Sequence, residues 1–335
     1  MSKRNILDCT LRDGGYVNDW QFDTQTALSI RGGLYEAGVR WIELGIMGKN
    51  PVVGKQTKFS DFSQIKPLLV NRKPDCNYLV MLTTTAADNF TFPVRSQDTP
   101  DAIRVAFFKP EIEKTFILAK ELKDKGYIVF MQPMATFMYS KEELRSLVAD
   151  VNKLHPYACY MVDSFSTMYP EDVAEMRDCM LSVLDKDIVF GFHAHNNIQM
   201  AFSNVQEFMK GYEDREFLID GSIFGMGRGA GNVPSELLMK YLNDHYGLHL
   251  NTSIVLALYE KFLEPIYKEY GWGYTMPYYV TAMNAVNSAW GWFFMSHGID
   301  SIVDFERAIK MIPAEWSYTL KPAIGEDIVK KIKGE

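Results

Sequence analysis

Residues 187–196 read DIVFGFHAHN. Ile188, Val189, Phe190 and Phe192 are apolar at both odd and even positions. Side chains alternate across a strand, so this one is apolar on both faces. Such a strand belongs in a parallel sheet covered by helices rather than in a half-solvated antiparallel one. Its tip then turns polar. His193 and His195, two of only six histidines, lie two apart and share a face. Similar runs occur at 5–9, 41–47, 78–82, 103–108, 127–132, 158–162 and 218–224. Amphipathic stretches at 24–37, 110–125, 141–154 and 170–184 lie between them. Strands alternating with helices predict βα units, and eight of them in about 245 residues is the size of a closed (β/α)8 TIM barrel. A doubly wound open sheet is the alternative, because periodicity does not show closure.

The chain has 335 residues, 47% hydrophobic and 23% charged, with a net charge of -7. That balance disfavours nucleic acid and anionic membranes as partners. No apolar run reaches the roughly 20 residues that span a bilayer. Met1–Asn5 lead directly into the first strand run, without the apolar core of a signal peptide. Cys9, Cys76, Cys159 and Cys179 form no CxxC pair and read as reduced, buried thiols, so a cytoplasmic location is expected. After about residue 248 the composition changes. Tyr259, Phe262, Tyr267, Trp272, Tyr278, Trp290 and Phe294 mark an aromatic tail with helical spacing, too apolar to be a solvated linker. The expected organisation is an α/β barrel over 1–248 and a C-terminal helical extension over 249–335. The extension would pack on the barrel, form a subunit interface, or do both.

In such a barrel the site forms at the C-terminal strand ends. The first run delivers Arg12, Asp13 and Tyr16; the second carries Glu43; the sixth leads to Asp163 and Ser164; the seventh ends in His193 and His195. The first and seventh runs lie two strands apart around a closed ring. One carboxylate and two imidazoles converging there suit a divalent cation (Mn, Mg or Co), with positions left open for water or substrate. Glu43, a charge inside an apolar strand, needs a partner, and Arg12 on the neighbouring strand is the natural one. The eighth run opens into Gly225-Met226-Gly227-Arg228-Gly229-Ala230-Gly231-Asn232. This loosely fits a dinucleotide fingerprint but follows the last strand instead of opening the chain. A phosphate-binding turn and a flexible lid are the other readings of it. Lys109, after the fourth run, is the one lysine that stands out as a Schiff-base candidate or as a contact for an acidic substrate; a solvated loop lysine is the plainer reading.

Together Leu7-Asp8-Cys9-Thr10-Leu11-Arg12-Asp13-Gly14-Gly15, Glu43, His193-Ala194-His195-Asn196 and Gly229-Ala230-Gly231-Asn232 resemble the HMGL-like DRE-TIM metallolyase superfamily. Its members are TIM barrels that make or break carbon–carbon bonds through metal-bound enolates. The tail looks most like relatives of 4-hydroxy-2-oxovalerate aldolase. Carried over by position, the resemblance implies that Asp13, His193, His195 and Asn232 hold the metal. It further implies that Arg12 contacts the enolate oxygen, that Glu43 holds Arg12, and that Ser164, Gly227 and Gly229 lie against substrate. Three departures stand out. Tyr16 occupies the place of the aldolases' histidine base, and a phenol, titrating near about 10, is a poor base at neutral pH. The glycine-rich loop lacks the lyases' cysteine. Phe165 replaces a glycine and is expected to narrow or reshape the pocket. The implied activity is a class II aldolase that cleaves a 4-hydroxy-2-oxo acid to pyruvate and an aldehyde. A Claisen-type condensation with an acyl-CoA and a non-catalytic metal- or ligand-binding barrel are the alternatives. The implied partners are a small 2-oxo acid, a second copy of the chain in a homo-oligomer, and an aldehyde dehydrogenase of the kind some relatives use.

Overall fold

The computed structural model describes residues 3–49 and 55–334. Met1 and Ser2 of the expected lead-in and Glu335 of the tail lie outside the described residues. The strands are β1 (Arg4–Asp8), β2 (Trp41–Met47), β3 (Lys58–Phe59), β4 (Asn77–Thr83), β5 (Ala102–Phe107), β6 (Ile128–Pro133), β7 (Ala158–Asp163), β8 (Val189–Ala194) and β9 (Phe217–Gly221). They run β1-β9-β8-β7-β6-β5-β4-β2, and β1 pairs with β2 to close the ring. Every pairing is parallel. The two-residue β3 sits outside the ring on β2. Closure decides for the TIM barrel over the open sheet.

The expected strands recur to within a few residues. The last ends earlier than expected, at Gly221, because the chain turns there into a short 3-10 segment with Phe224 at φ 53°. Helices Thr24–Glu36, Ile112–Asp124, Lys141–Leu154, Pro170–Leu181, Ala201–Phe208 and Ser235–Tyr246 cover the barrel. Lys141–Leu154 shows why they form. Ser140 and Glu143 make a reciprocal capping box, which satisfies backbone N–H groups that the first turn leaves unpaired. Leu144, Leu147, Val148 and Val151 then bury one face against the strands.

The barrel interior has an apolar floor that includes Leu7, Leu79, Phe130, Val162 and Leu218. Above it sits a polar layer of Glu43, Arg104, Gln132, Asp220 and His193. Gly191 of β8 makes room for this filling: a Cβ there would lie 2.3 Å from the Tyr160 ring. All four cysteines are buried and free.

The tail is helical, as its spacing indicates. Its first part, 252–270, joins the barrel's outer core through Val255, Leu258 and Leu263. Helices Met276–Met283, Ser288–Ser296, Ile302–Lys310 and Pro322–Lys333 enclose a second core around Trp290, Phe294, Phe305 and Ile328. Tyr259, Tyr267 and Trp272 surround the Phe224 ring, and Trp272 Nε1 donates to the Phe224 carbonyl at 2.9 Å. The aromatic tail therefore clamps the start of the glycine-rich loop. No described helix is long and apolar enough to cross a membrane.

Candidate active site

β1 ends in a single helical turn, Thr10–Asp13, entered through Asp8, whose Oδ1 accepts the Thr10 N–H at 2.9 Å. That turn places Arg12 and Asp13 side by side and buried, the Arg12 guanidinium against Asp13 Oδ1. Across the mouth, β8 delivers His193, and His195 follows in a bridge to Asn232 of the glycine-rich loop. One ligand atom each from Asp13, His193 and His195 lies within 4.8 Å of the others, and all three residues are buried.

The protonation states suit a cation. Burial would raise the Asp13 pKa, but the adjacent Arg12 and the two histidines hold this carboxyl well below the usual carboxylate range. Burial pushes His195 down to about 3, against the pull of Asp13, so its ring is neutral at pH 7. His193 Nδ1 lies 2.9 Å from Asp220 Oδ2. Despite burial, Arg104 and His193 keep Asp220 ionised, with its pKa near 2. An ionised carboxylate only accepts, so Nδ1 carries the proton and Nε2 keeps a free lone pair. Among the described residues, His195 Nδ1 and Asn232 Oδ1 are buried and have no hydrogen-bond partner, the mark of a site that completes its bonding with something else. The donor set fits a divalent metal.

Asn232 presents its nitrogen, not its oxygen, to Asp13: Nδ2 donates to Oδ2 at 2.7 Å. In this arrangement it orients Asp13. Glu43 accepts from Arg12 Nε at 2.7 Å and ion-pairs with Arg104 at 3.2 Å. Arg104 donates to Gln132 Oε1 at 2.7 Å and grips Asp220. The Tyr160 hydroxyl adds a bond to Asp220 at 3.0 Å. A continuous buried network thus runs from Arg12 through Glu43, Arg104 and Asp220 to His193.

Arg12, Asp13, Tyr16, Gln132, Ser164, His193, His195 and Arg228 line one cavity of about 40 Å³. This is narrow against the roughly 300–1,000 Å³ of ordinary ligand pockets. Asn287, from the extension, is part of its wall. The extension thus contributes to the site as well as packing on the barrel.

The HMGL-like family model matches residues 3–257. The chain belongs to the HMGL-like family. This is a superfamily of metal-dependent lyases and aldolases. The chain is 26% identical over 242 residues to an oxaloacetate decarboxylase of Mycobacterium tuberculosis, covering 71% of this chain and 69% of that protein. It is 29% identical over 258 residues to a 4-hydroxy-2-oxovalerate aldolase of Chloroflexus aurantiacus, covering 74% and 71%. Among solved structures it resembles the N-terminal domain of a candidate aldolase from Bacteroides vulgatus, with a TM-score of 0.73 and 27% identity over 89% of this chain and 99% of that one. The carboxyl transferase domain of Rhizobium etli pyruvate carboxylase aligns over 99% of this chain and 61% of that one, at a TM-score of 0.74. At 11% identity this likeness speaks only for the fold.

Other expected site residues of this HMGL-like chain have different surroundings. Gly227 and Gly229 do not line the cavity. A Cβ on Gly227 would lie 2.4 Å from Asn232 Nδ2, and one on Gly229 would lie 2.6 Å from Asn197 Oδ1. These glycines let the loop backbone press against polar side chains. The loop's amides are also engaged: Arg228 N donates to Asp13, Ala230 N to Asn197, and Gly231 N to the Arg228 carbonyl. That leaves little for a phosphate. Phe165 is buried against Phe137, their centroids 5.4 Å apart, and does not narrow the cavity. Ser164 lines the cavity, and its Oγ accepts the Ala135 N–H at 2.8 Å. Lys109 pairs with Glu143 at 2.5 Å and is 43% exposed, the plainest of its readings.

Sequence reasoning passed over Arg104 and Asp220. Both are charges inside apolar strand runs, the same signal that singled out Glu43.

Proposed function

We propose that this HMGL-like protein is a divalent-metal-dependent aldolase that cleaves the C3–C4 bond of a 4-hydroxy-2-oxo acid, giving pyruvate and an aldehyde. The observation that carries this reading is the buried Asp13–His193–His195 cluster with Arg12 beside it. Those three residues would hold Mn, Mg or Co, with Asn232 orienting Asp13; the cation supplies charge stabilisation for the oxygen of the 2-oxo group as the bond breaks. Arg12 adds to this. Glu43 fixes its Nε, while its second terminal nitrogen is buried, has no partner among the described residues, and is available to the developing oxyanion. The Ser164 hydroxyl already accepts one bond and keeps its proton to donate to substrate. Tyr16, also in the cavity wall, orients substrate.

Tyr16 also favours a second reading. Retro-aldol cleavage requires a base for the 4-hydroxyl proton, whereas loss of CO2 from a 2-oxo dicarboxylate breaks the corresponding bond with no such proton to remove. The relative named oxaloacetate decarboxylase supports keeping this reading beside the first.

The test is pyruvate release from a panel of 4-hydroxy-2-oxo acids and from oxaloacetate, with Mn, Mg or Co, against enzyme-free blanks. Metal-dependent pyruvate with a stoichiometric aldehyde, lost with EDTA and in Asp13→Asn, upholds the aldolase. Pyruvate from oxaloacetate alone upholds the decarboxylase. No pyruvate with metal still bound refutes both and turns attention to acyl-CoA condensation or a binding role.

A further inference from the structure

We infer that the substrate carries a second carboxylate on the fragment beyond the breaking bond, and that Arg228 binds it; this rests on the function proposed above and narrows its substrate to 2-oxo dicarboxylates. The cavity's charges are otherwise matched. Arg12 faces Glu43 and Asp13, and Asp13 in turn faces Arg12 and Asn232. Arg228 differs. Its backbone N–H donates to Asp13 Oδ2 at 3.3 Å, which fixes the residue beside the cluster. Its guanidinium lies over the Tyr16 ring, 4.5 Å from the centroid, and among the described residues it has no carboxylate partner.

A ring face attracts a cation but leaves its N–H donors unused. A guanidinium has a planar fork of donors that matches a carboxylate in two parallel bonds. Among the described residues that line the cavity, Arg12 and Arg228 are the only arginines or lysines. Asn287 Nδ2 donates to the Tyr318 carbonyl and its Oδ1 accepts from Ala289 N, both at 2.9 Å. Gln132 is neutral, and Arg104 holds it through Oε1. Met81, Phe108, Met134 and Val162 are apolar. With the 2-oxo acid end of a substrate at the cluster and Arg12, the far end meets Arg228. A neutral alkyl tail would leave the half-buried guanidinium to water.

The test compares two substrates that differ only at C5, 4-hydroxy-2-oxoglutarate and 4-hydroxy-2-oxopentanoate. The metal-loaded wild type, Arg228→Met and Arg228→Lys are each assayed for pyruvate release, with folding checked by circular dichroism. A charged hydrogen bond gives an expected wild-type preference in kcat/KM for the dicarboxylate of roughly 10–100-fold. That ratio falls to within a few-fold in Arg228→Met and is partly restored in Arg228→Lys. A wild-type ratio near one, or a ratio unchanged in Arg228→Met, overturns the inference and leaves the aldolase standing. Cleavage of neither compound removes the aldolase reading. Calorimetry with the unreactive pair 2-oxoglutarate and 2-oxopentanoate then decides the Arg228 site. A roughly tenfold preference for 2-oxoglutarate that Arg228→Met abolishes upholds it, and equal affinities overturn it.

Discussion

Asp220→Asn is the substitution that most directly tests how the site is held. The Asp220 carboxylate is buried and receives four contacts: both terminal nitrogens of Arg104, the Tyr160 hydroxyl at 3.0 Å and His193 Nδ1 at 2.9 Å. Arg104 and His193 meet Oδ2, while Arg104 and Tyr160 meet Oδ1. An asparagine must set its NH2 against one of these pairs. Facing Tyr160, it forces the hydroxyl to turn. Facing His193, it draws the proton from Nδ1 to Nε2, the nitrogen the metal needs. Either way Arg104 loses half of its neutralising charge and keeps only Glu43. Breaking one partner of a buried ionic network costs about 3–5 kcal/mol, or roughly 6–10 °C in Tm for a large domain. Loss of a ligand-orienting carboxylate costs about 10–100-fold in metal affinity. Thermal melts and calorimetric titration with Mn2+ measure both. A melting point within about 2 °C of wild type and an unchanged Mn2+ affinity would refute the reasoning that Asp220 orders His193.

Three further predictions concern parts of the fold that serve the site. Burial lifts the Asp8 carboxyl to about 6, above its ordinary value of 3.8. The folded state therefore binds the proton more tightly, and its contribution to stability is present below pH 4 and lost as pH rises toward 6. Asp8→Asn removes that dependence: its melting point should exceed wild type's at pH 8 by the equivalent of up to about 3 kcal/mol, and the gap should close at pH 4. Gly191→Ala places a methyl 2.3 Å from the Tyr160 ring, and overpacking of this kind costs about 1–3 kcal/mol in a denaturant melt; a wild-type midpoint would show that the ring has room to move. Ser288→Ala removes the 3.1 Å bond from Asn197 to the extension, and Asn197 in turn accepts the Ala230 N–H of the glycine-rich loop. Hydrogen exchange over 225–232 should then speed up several-fold, as a buried donor left unpaired costs about 1–3 kcal/mol; unchanged protection would mean the loop is held by Asp13 and Asn197 alone.

The sequence by itself determined the strands and their burial, because two-faced apolar runs have one stable home, a parallel sheet between helices. It also determined which side chains stand at the mouth. Asp13, His193 and His195 follow from strand ends and a period of two, and Arg12 with Glu43 follows from the need of a buried charge for a partner. Tertiary structure decided three other matters. Closure of the ring depends on β1 meeting β2, a pairing between runs whose patterns would equally suit neighbours in an open sheet. The link from Glu43 through Arg104 and Asp220 to His193 depends on strand register, which brings side chains as far apart as Arg104 and Asp220, 116 residues, into contact. Asn287 and Ser288 reach the mouth, and Trp272 reaches its glycine-rich loop, only because the extension docks where it does. Local pattern encodes which face of an element is apolar. It does not encode which distant element will cover that face, and the cavity's walls are set there.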